Sequence, residues 1–289
     1  MKHLTRIPAS IEASPQHVLG DKLTPDLLPA GTRVYITDVG VDPQDDYVLA
    51  AKRVGEMGYA AVPHVPVRRI ESEAALNERL SRLANEAGVR DVLVIAGEAD
   101  RTMGPYDESL QALRSGLFDR HGMREIGVAG HPEGNTAYRN VDPSGVLEAK
   151  SKLAQASDAQ FRIVTQFGFD GEGFTRWARA VAASGIDLPI HLGVAGPAKI
   201  TTLLKYAAMC GVGNSLNFFR KRTSAIATLA TKHSPEDVVG PIERAWASEE
   251  GVRIAGIHVF PFGGLASSAE WLFDRGSFVR TEQDRRATA

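Results

Sequence analysis

The stretch IEASPQ (11–16) sets a carboxylate, Glu12, two residues ahead of a Ser-Pro break. Proline holds the residue before it extended, so the opening strand LTRIPASIE is expected to stop at Ser14, with Glu12 near its C-terminal end. An acid in that position is either half of an ion pair, with Arg6 or Lys22 as partner, or a group that transfers protons. Other chemistry-bearing residues also close short β-rich runs: Thr37 and Asp38, His64, Glu98, His131 and Glu133, Gln166, His191 and His258. Any of the histidines can equally be a satisfied core residue. No two of these side chains have the spacing of a known metal motif, so no metal site is expected.

The runs that carry them are TRVYITD (32–38), YAAVPHV (59–65), DVLVIAG (91–97), EIGVAG (125–130), FRIVTQF (161–167), LPIHLGV (188–194) and IAGIHVFPF (254–262), which with the opening strand make eight. Between them, DDYVLAAKRVGEM (45–57), EAALNERLSRLANEAG (73–88) and FTRWARAVAASG (174–185) have apolar residues at helical spacing, and Gly58, Gly88 and Gly185 stand where helix C-caps want glycine. Eight strands alternating with helices predict an α/β fold, a single (β/α)8 TIM barrel over 1–275 followed by a polar tail, 276–289. A doubly wound dinucleotide fold would show G-x-G-x-x-G after its first strand, where this chain has ASPQHVLGDKL. In such a barrel the strand ends and following loops form the active face, which gathers the residues above. Arg220 to Pro235 is read as an irregular loop, and GVAGPAKI (193–200) as either an anion-binding turn or a tight loop that needs glycine.

Composition narrows the partners. The chain has 289 residues, 43% apolar and 24% charged, with a net charge of −2 and one cysteine, Cys210. The short basic run FFRKR lies among apolar residues, so no nucleic-acid surface is expected. No window approaches the roughly 18 apolar residues of a membrane span, and MKHLTRIPAS lacks a signal-peptide core, so a cytoplasmic protein is expected.

Several of these stretches resemble the methylenetetrahydrofolate reductase family. IEASPQ resembles its first-strand motif, VLVIAGEAD (92–100) its fourth, IGVAGHPEGN (126–135) its fifth, IVTQFGFD (163–170) its sixth and GIHVFPFGG (256–264) its last, in order from about residue 7 to 272. The resemblance implies reduction of 5,10-methylenetetrahydrofolate to 5-methyltetrahydrofolate by NADH or NADPH, with FAD passing the hydride, in a homo-oligomer that binds tetrahydrofolate derivatives. It makes Glu12 the general acid at N10, kept neutral by an apolar mouth. Glu98 and Gln166 join it as catalytic residues. Gln166 meets the pterin with an amide that both donates and accepts, and Phe167 stacks on a substrate ring. Thr37, His64, Gly97, Glu98, His131 and Lys152 are the implied flavin contacts, Lys152 as a point charge on phosphate.

The chain departs from the family at AGEAD, where Ala96 replaces an Arg and Glu98 an Asp, and at HPEGN, where His131 replaces a Tyr and Asn135 a His. These departures motivate an alternative, direct hydride transfer from nicotinamide to folate without flavin. A barrel that binds folate or flavin without turnover is the alternative from another class. A Schiff-base lyase would need a lysine on a strand end, whereas Lys150, Lys152 and Lys199 read as helix or loop residues.

Overall fold

The first strand, β1 (Ala9–Ala13), hydrogen-bonds in parallel to the last long one, β10 (Ile254–Phe260), with Ala9 opposite Ile257 and Ile11 opposite Val259. That pairing closes the sheet and rules out an open doubly wound arrangement. In the computed structural model, which describes residues 6–97, 101–134, 143–210, 212, 232–248 and 251–280, the strand order is β1-β10-β7-β6-β5-β4-β3-β2, a closed parallel barrel. Its other members are β2 (Arg33–Ile36), β3 (Ala60–Pro66), β4 (Asp91–Ile95), β5 (Glu125–Gly130), β6 (Gln160–Gly168) and β7 (Ile190–Ala195). All eight expected strands are present, and helices lie between them, as the alternating pattern predicts. Two further short strands, β8 (Ala198–Lys199) and β9 (Lys232–His233), pair antiparallel outside the barrel.

Local chemistry explains the boundaries. The first strand ends at Ala13, one residue before the expected stop. Ser14 then caps a short helix (Pro15–Leu19): its hydroxyl accepts from the His17 amide at 3.2 Å, the His17 ring accepts from the Ser14 amide at 3.3 Å, and Pro15 occupies the first helical position. Helices Gln44–Glu56, Glu73–Asn85 and Gly171–Ala183 follow the expected patterns. Gly58, Gly88 and Gly185 follow them with φ of 84°, 67° and 82°, the left-handed conformation that ends a helix.

The described residues cluster into two compact units, one from Glu12–Ala129 with Gly145–Ile163, the other from the remainder. Within the first, β2 to β5 run in parallel register, with Arg33 opposite Ala60, His64 opposite Leu93 and Asp91 opposite Glu125. Its interior holds a buried charge network at the N-terminal ends of the strands. Arg162 from β6 donates to Asp91 at 2.7 Å and to the Tyr35 hydroxyl at 2.9 Å, while Arg33 pairs with Asp91 and Glu125. At that end of a barrel, polar networks serve stability rather than chemistry.

Within the second unit, β7 and β10 pair from Ile190 to Ala195. The helix Leu265–Asp274 is tied back to the start of the chain. Arg275 pairs with Glu236 and Glu243, Glu243 pairs with Arg6 at 2.7 Å, and the Ser277 hydroxyl donates to the Ile7 carbonyl at 2.7 Å. Phe278 is buried, so ordered packing continues past residue 276. Residues 220–231 of the expected loop lie outside the described residues, and no described helix is long and apolar enough to cross a membrane.

Candidate functional site

Glu12 is the penultimate residue of β1, and His64 the fifth of seven in β3. Glu12 Oε1 and His64 Nε2 lie 3.7 Å apart, with the two side chains 12% and 9% exposed. Burial pushes the Glu12 carboxyl up to about 7, with the His64 charge pulling part of the way back. Of the partners expected for Glu12, Arg6 is engaged by Glu243, and Glu12 faces His64. A carboxyl held in this state keeps its proton near neutral pH, which is what a general acid requires.

The surroundings hold this pair in position. The Tyr47 hydroxyl, from helix Gln44–Glu56, sits 2.7 Å from the His64 carbonyl and 3.0 Å from that of Ile36, bridging β3 and β2 at their ends. Arg79, from helix Glu73–Asn85, donates to the His64 carbonyl at 3.4 Å, pairs with Asp38, and lies 4.7 Å over the Tyr47 ring. Thr37, half-buried just past β2, donates its amide to the Ala13 carbonyl at 3.0 Å, locking the residue next to Glu12. The Tyr35 and His64 rings lie edge to face at 6.3 Å, and the Tyr35 hydroxyl accepts from Arg162.

The other expected residues of this unit divide by face. Gly97 has φ 83°, and a Cβ there would lie 2.6 Å from Pro66, so a close protein neighbour already accounts for the glycine. Lys152 is exposed on helix Pro143–Gln155, whereas Lys150, two places earlier and nearly half a turn round, is buried. Burial holds the Lys150 amine down to about 8, with Glu108 opposing that fall. Glu98 lies outside the described residues.

In the second unit, Gln166 is half-buried near the end of β6, and its side-chain oxygen accepts from the Phe167 amide at 3.0 Å. The Thr165 hydroxyl accepts from the Gly193 amide at 2.8 Å, which ties β6 to β7 next to Gln166. Gly193 is required there, since a Cβ would lie 2.5 Å from the Thr165 carbonyl oxygen and 2.7 Å from that of Gln166. Phe167 is only 1% exposed and packs against Phe169, Phe260 and Phe262 at ring separations of 5.8, 5.3 and 4.8 Å. The half-exposed aromatics of this cluster are Phe260, Phe262 and Tyr206, the last two stacked at 4.2 Å and 15°. His258 is fully buried, its Nδ1 3.0 Å from the Ser10 hydroxyl. His131 is half-buried in a turn whose Gly134 amide bonds its carbonyl, and His191 is half-buried on β7. In the glycine turn after β7, the Gly196 amide donates to the Phe260 carbonyl, and a Cβ at Gly196 would strike Ser268. That turn is built by packing, and its central amide is committed.

Several supporting residues escaped the sequence reading, Tyr35, Tyr47, Arg79 and Arg162, and Lys150 was read only as a helix or loop residue, without its burial. For Arg162 a signal existed, a charged residue amid the apolar β6 run FRIVTQF. For Lys150 it was the helical spacing with buried Leu147 and Ser151. Among the described residues, no group of three or more His, Cys, Asp or Glu is arranged to hold a metal ion.

Comparison with known proteins adds a family to this geometry. The family model for methylenetetrahydrofolate reductase matches residues 44–218, more than half of the chain, a span that begins after Glu12. A 5,10-methylenetetrahydrofolate reductase of Pectobacterium carotovorum subsp. carotovorum is 28% identical over 158 residues, 54% of this chain and 50% of that protein. Methylenetetrahydrofolate reductase 1 of Schizosaccharomyces pombe is 30% identical over 138 residues, 45% of this chain and 22% of that protein. Methylenetetrahydrofolate reductase 2 of Saccharomyces cerevisiae is 39% identical over 70 residues, 24% of this chain and 11% of that protein. The chain thus spans half or less of the length of these relatives.

Proposed function

Because the chain belongs to the methylenetetrahydrofolate reductase family, we propose that it interconverts 5,10-methylenetetrahydrofolate and 5-methyltetrahydrofolate, with a reduced nicotinamide as hydride source and Glu12 as general acid. The observation that carries this reading is the buried carboxyl at the end of β1, raised to about 7 and facing His64. Opening the five-membered ring of the folate requires a proton at N10, which exposes an electrophilic iminium at N5 for hydride. Glu12 supplies that proton. Its carboxylate form is disfavoured by burial, so giving up the proton to the substrate is balanced by the partial charge stabilisation that His64 provides. Gln166, with its amide oxygen on the Phe167 amide, has its nitrogen end available to donate to an acceptor on the pterin edge.

A flavin, when bound in this family, stores the hydride between nicotinamide and folate. The residues assigned to it by resemblance meet that demand incompletely: Lys152 is exposed, the bare Cα of Gly97 faces Pro66, and His64 is engaged by Glu12. These residues do not by themselves define a flavin site, so no step is assigned to it. Those features favour the direct route from nicotinamide to folate as a second reading, in which Glu12 has the same task.

The test is anaerobic NADH and NADPH oxidation with methylenetetrahydrofolate, with and without added FAD, in the native chain and in Glu12→Gln. Turnover by the native chain, lost by about a hundredfold or more in Glu12→Gln with folate binding retained, is the expected result. A fully active Glu12→Gln would refute the acid role, and dependence on FAD would decide between the two routes. Absence of turnover with both nucleotides would favour a binding protein.

A further inference from the structure

Glu12 and His64 face each other at a distance with a specific consequence. At 3.7 Å, Oε1 and Nε2 are within reach of charge attraction but beyond a formed hydrogen bond. A short bond from a protonated imidazole would fix the carboxylate and remove the acid. The wider gap lets either side hold a proton. A buried pair disfavours any net charge, so the two neutral arrangements, acid with imidazole and carboxylate with imidazolium, are favoured over losing or gaining a proton. We propose that Glu12 and His64 hold one proton jointly, and that His64 is a positioning residue that sets the pH range over which Glu12 can act as an acid.

The elements packed around the pair suit this role. From β2, the Tyr35 ring packs edge to face with the imidazole, and its hydroxyl is turned to Arg162, which is itself neutralised by Asp91. From helix Gln44–Glu56, Tyr47 holds the His64 carbonyl; from helix Glu73–Asn85, Arg79 reaches the same carbonyl and is neutralised by Asp38. The cations that approach from these elements are each paired with an acid of their own. Two groups on two neighbouring helices fix the His64 carbonyl, so the imidazole is held against Glu12. The upward push on Glu12 by burial and the downward pull by His64 agree with this arrangement.

The consequence for catalysis rests on the general-acid reading, but the pair can be tested without turnover. In the full chain labelled with 15N-histidine, the His64 imidazole is assigned by its loss in His64→Gln, or, if that variant does not fold, by its change in Glu12→Gln. Its titration is then followed by NMR in the native chain and in Glu12→Gln. The expected result is a two-step titration in the native chain, replaced in Glu12→Gln by a single step about one pH unit or more lower, because the favourable carboxylate is gone. Coincident titration curves in the two proteins would overturn the pair. Where the folate reaction is measurable, His64→Gln should move the alkaline limb of its pH profile downward, because the last proton is then held by Glu12 alone. A uniform fall in rate with the limb unmoved would overturn the positioning role. Failure of the folate reading leaves the NMR result to decide on the pair alone.

Discussion

Replacing Glu12 by glutamine should make the protein more stable at neutral pH while abolishing its turnover. The carboxyl goes from an ordinary 4.5 to about 7 on folding, and at roughly 1.4 kcal/mol per tenfold change in proton affinity this costs the native state about 3 kcal/mol once both forms are ionised. The sign follows from proton counting. Below pH 4 both folded and unfolded chains carry the proton, and no cost exists. Between about 4.5 and 7 the folded chain binds more protons than the unfolded one, so stability falls as pH rises. Above about 7 the loss is complete. Glutamine never ionises, so Glu12→Gln should match the native chain near pH 4.5 and exceed it by about 3 kcal/mol at pH 8. Urea unfolding read by tryptophan fluorescence measures this; with an m-value of about 3 kcal/mol/M, the midpoint should differ by up to about 1 M at pH 8. A difference independent of pH, or a variant less stable than the native chain at pH 8, would refute the claim that burial stores this energy at Glu12.

Arg162→Met leaves Asp91 buried with Arg33 as its remaining cation and the Tyr35 hydroxyl without its donor, and should cost about 3 to 5 kcal/mol in the same unfolding assay. Adding Asp91→Leu should recover part of that loss, and a double variant no better than the single one would show that the network is not the cause. Lys150 is held at about 8 against roughly 10.4 unfolded, so the folded chain binds fewer protons between these values and native stability should rise over that window. Lys150→Met should be more stable than the native chain near pH 7 and lose the advantage by pH 10.5, and a constant difference would contradict the burial of the amine. Gly193→Ala drives a methyl group toward the Thr165 and Gln166 carbonyls; it should weaken 5-methyltetrahydrofolate binding by roughly tenfold, the worth of one displaced hydrogen bond, and an unchanged Kd by calorimetry would detach Gln166 from the substrate.

The strands were legible because each is a short β-branched run bounded by turn residues, and Glu12 was legible because Ser14 and Pro15 leave no doubt where β1 must stop. The partner of Glu12 was not. His64 is separated from it by more than fifty residues, and nothing in YAAVPHV distinguishes an inward imidazole at a strand end from a core one. Arg162 and Tyr35 meet across 127 positions, a contact that exists only because the sheet closes. Lys150 and Lys152 look alike in a linear pattern, and only the helical turn decides which is buried. Phe167 illustrates the reverse case: an aromatic residue beside a polar strand end invites a stacking role, yet its ring is covered by three others.

The pairing of β1 with β10 also has a temporal side. Ser10 finds Ile257 and His258 across some 247 positions, so a nascent chain growing at about 5 to 20 residues per second would expose its first strand for roughly 10 to 50 s before the mate leaves the ribosome. Over that interval β1 has two unsatisfied flanks only until β2 arrives, and thereafter one open edge that invites other extended segments. Vectorial synthesis should therefore reward early collapse of Glu12–Ala129, and slowing elongation late in the message should raise aggregation more than slowing it early.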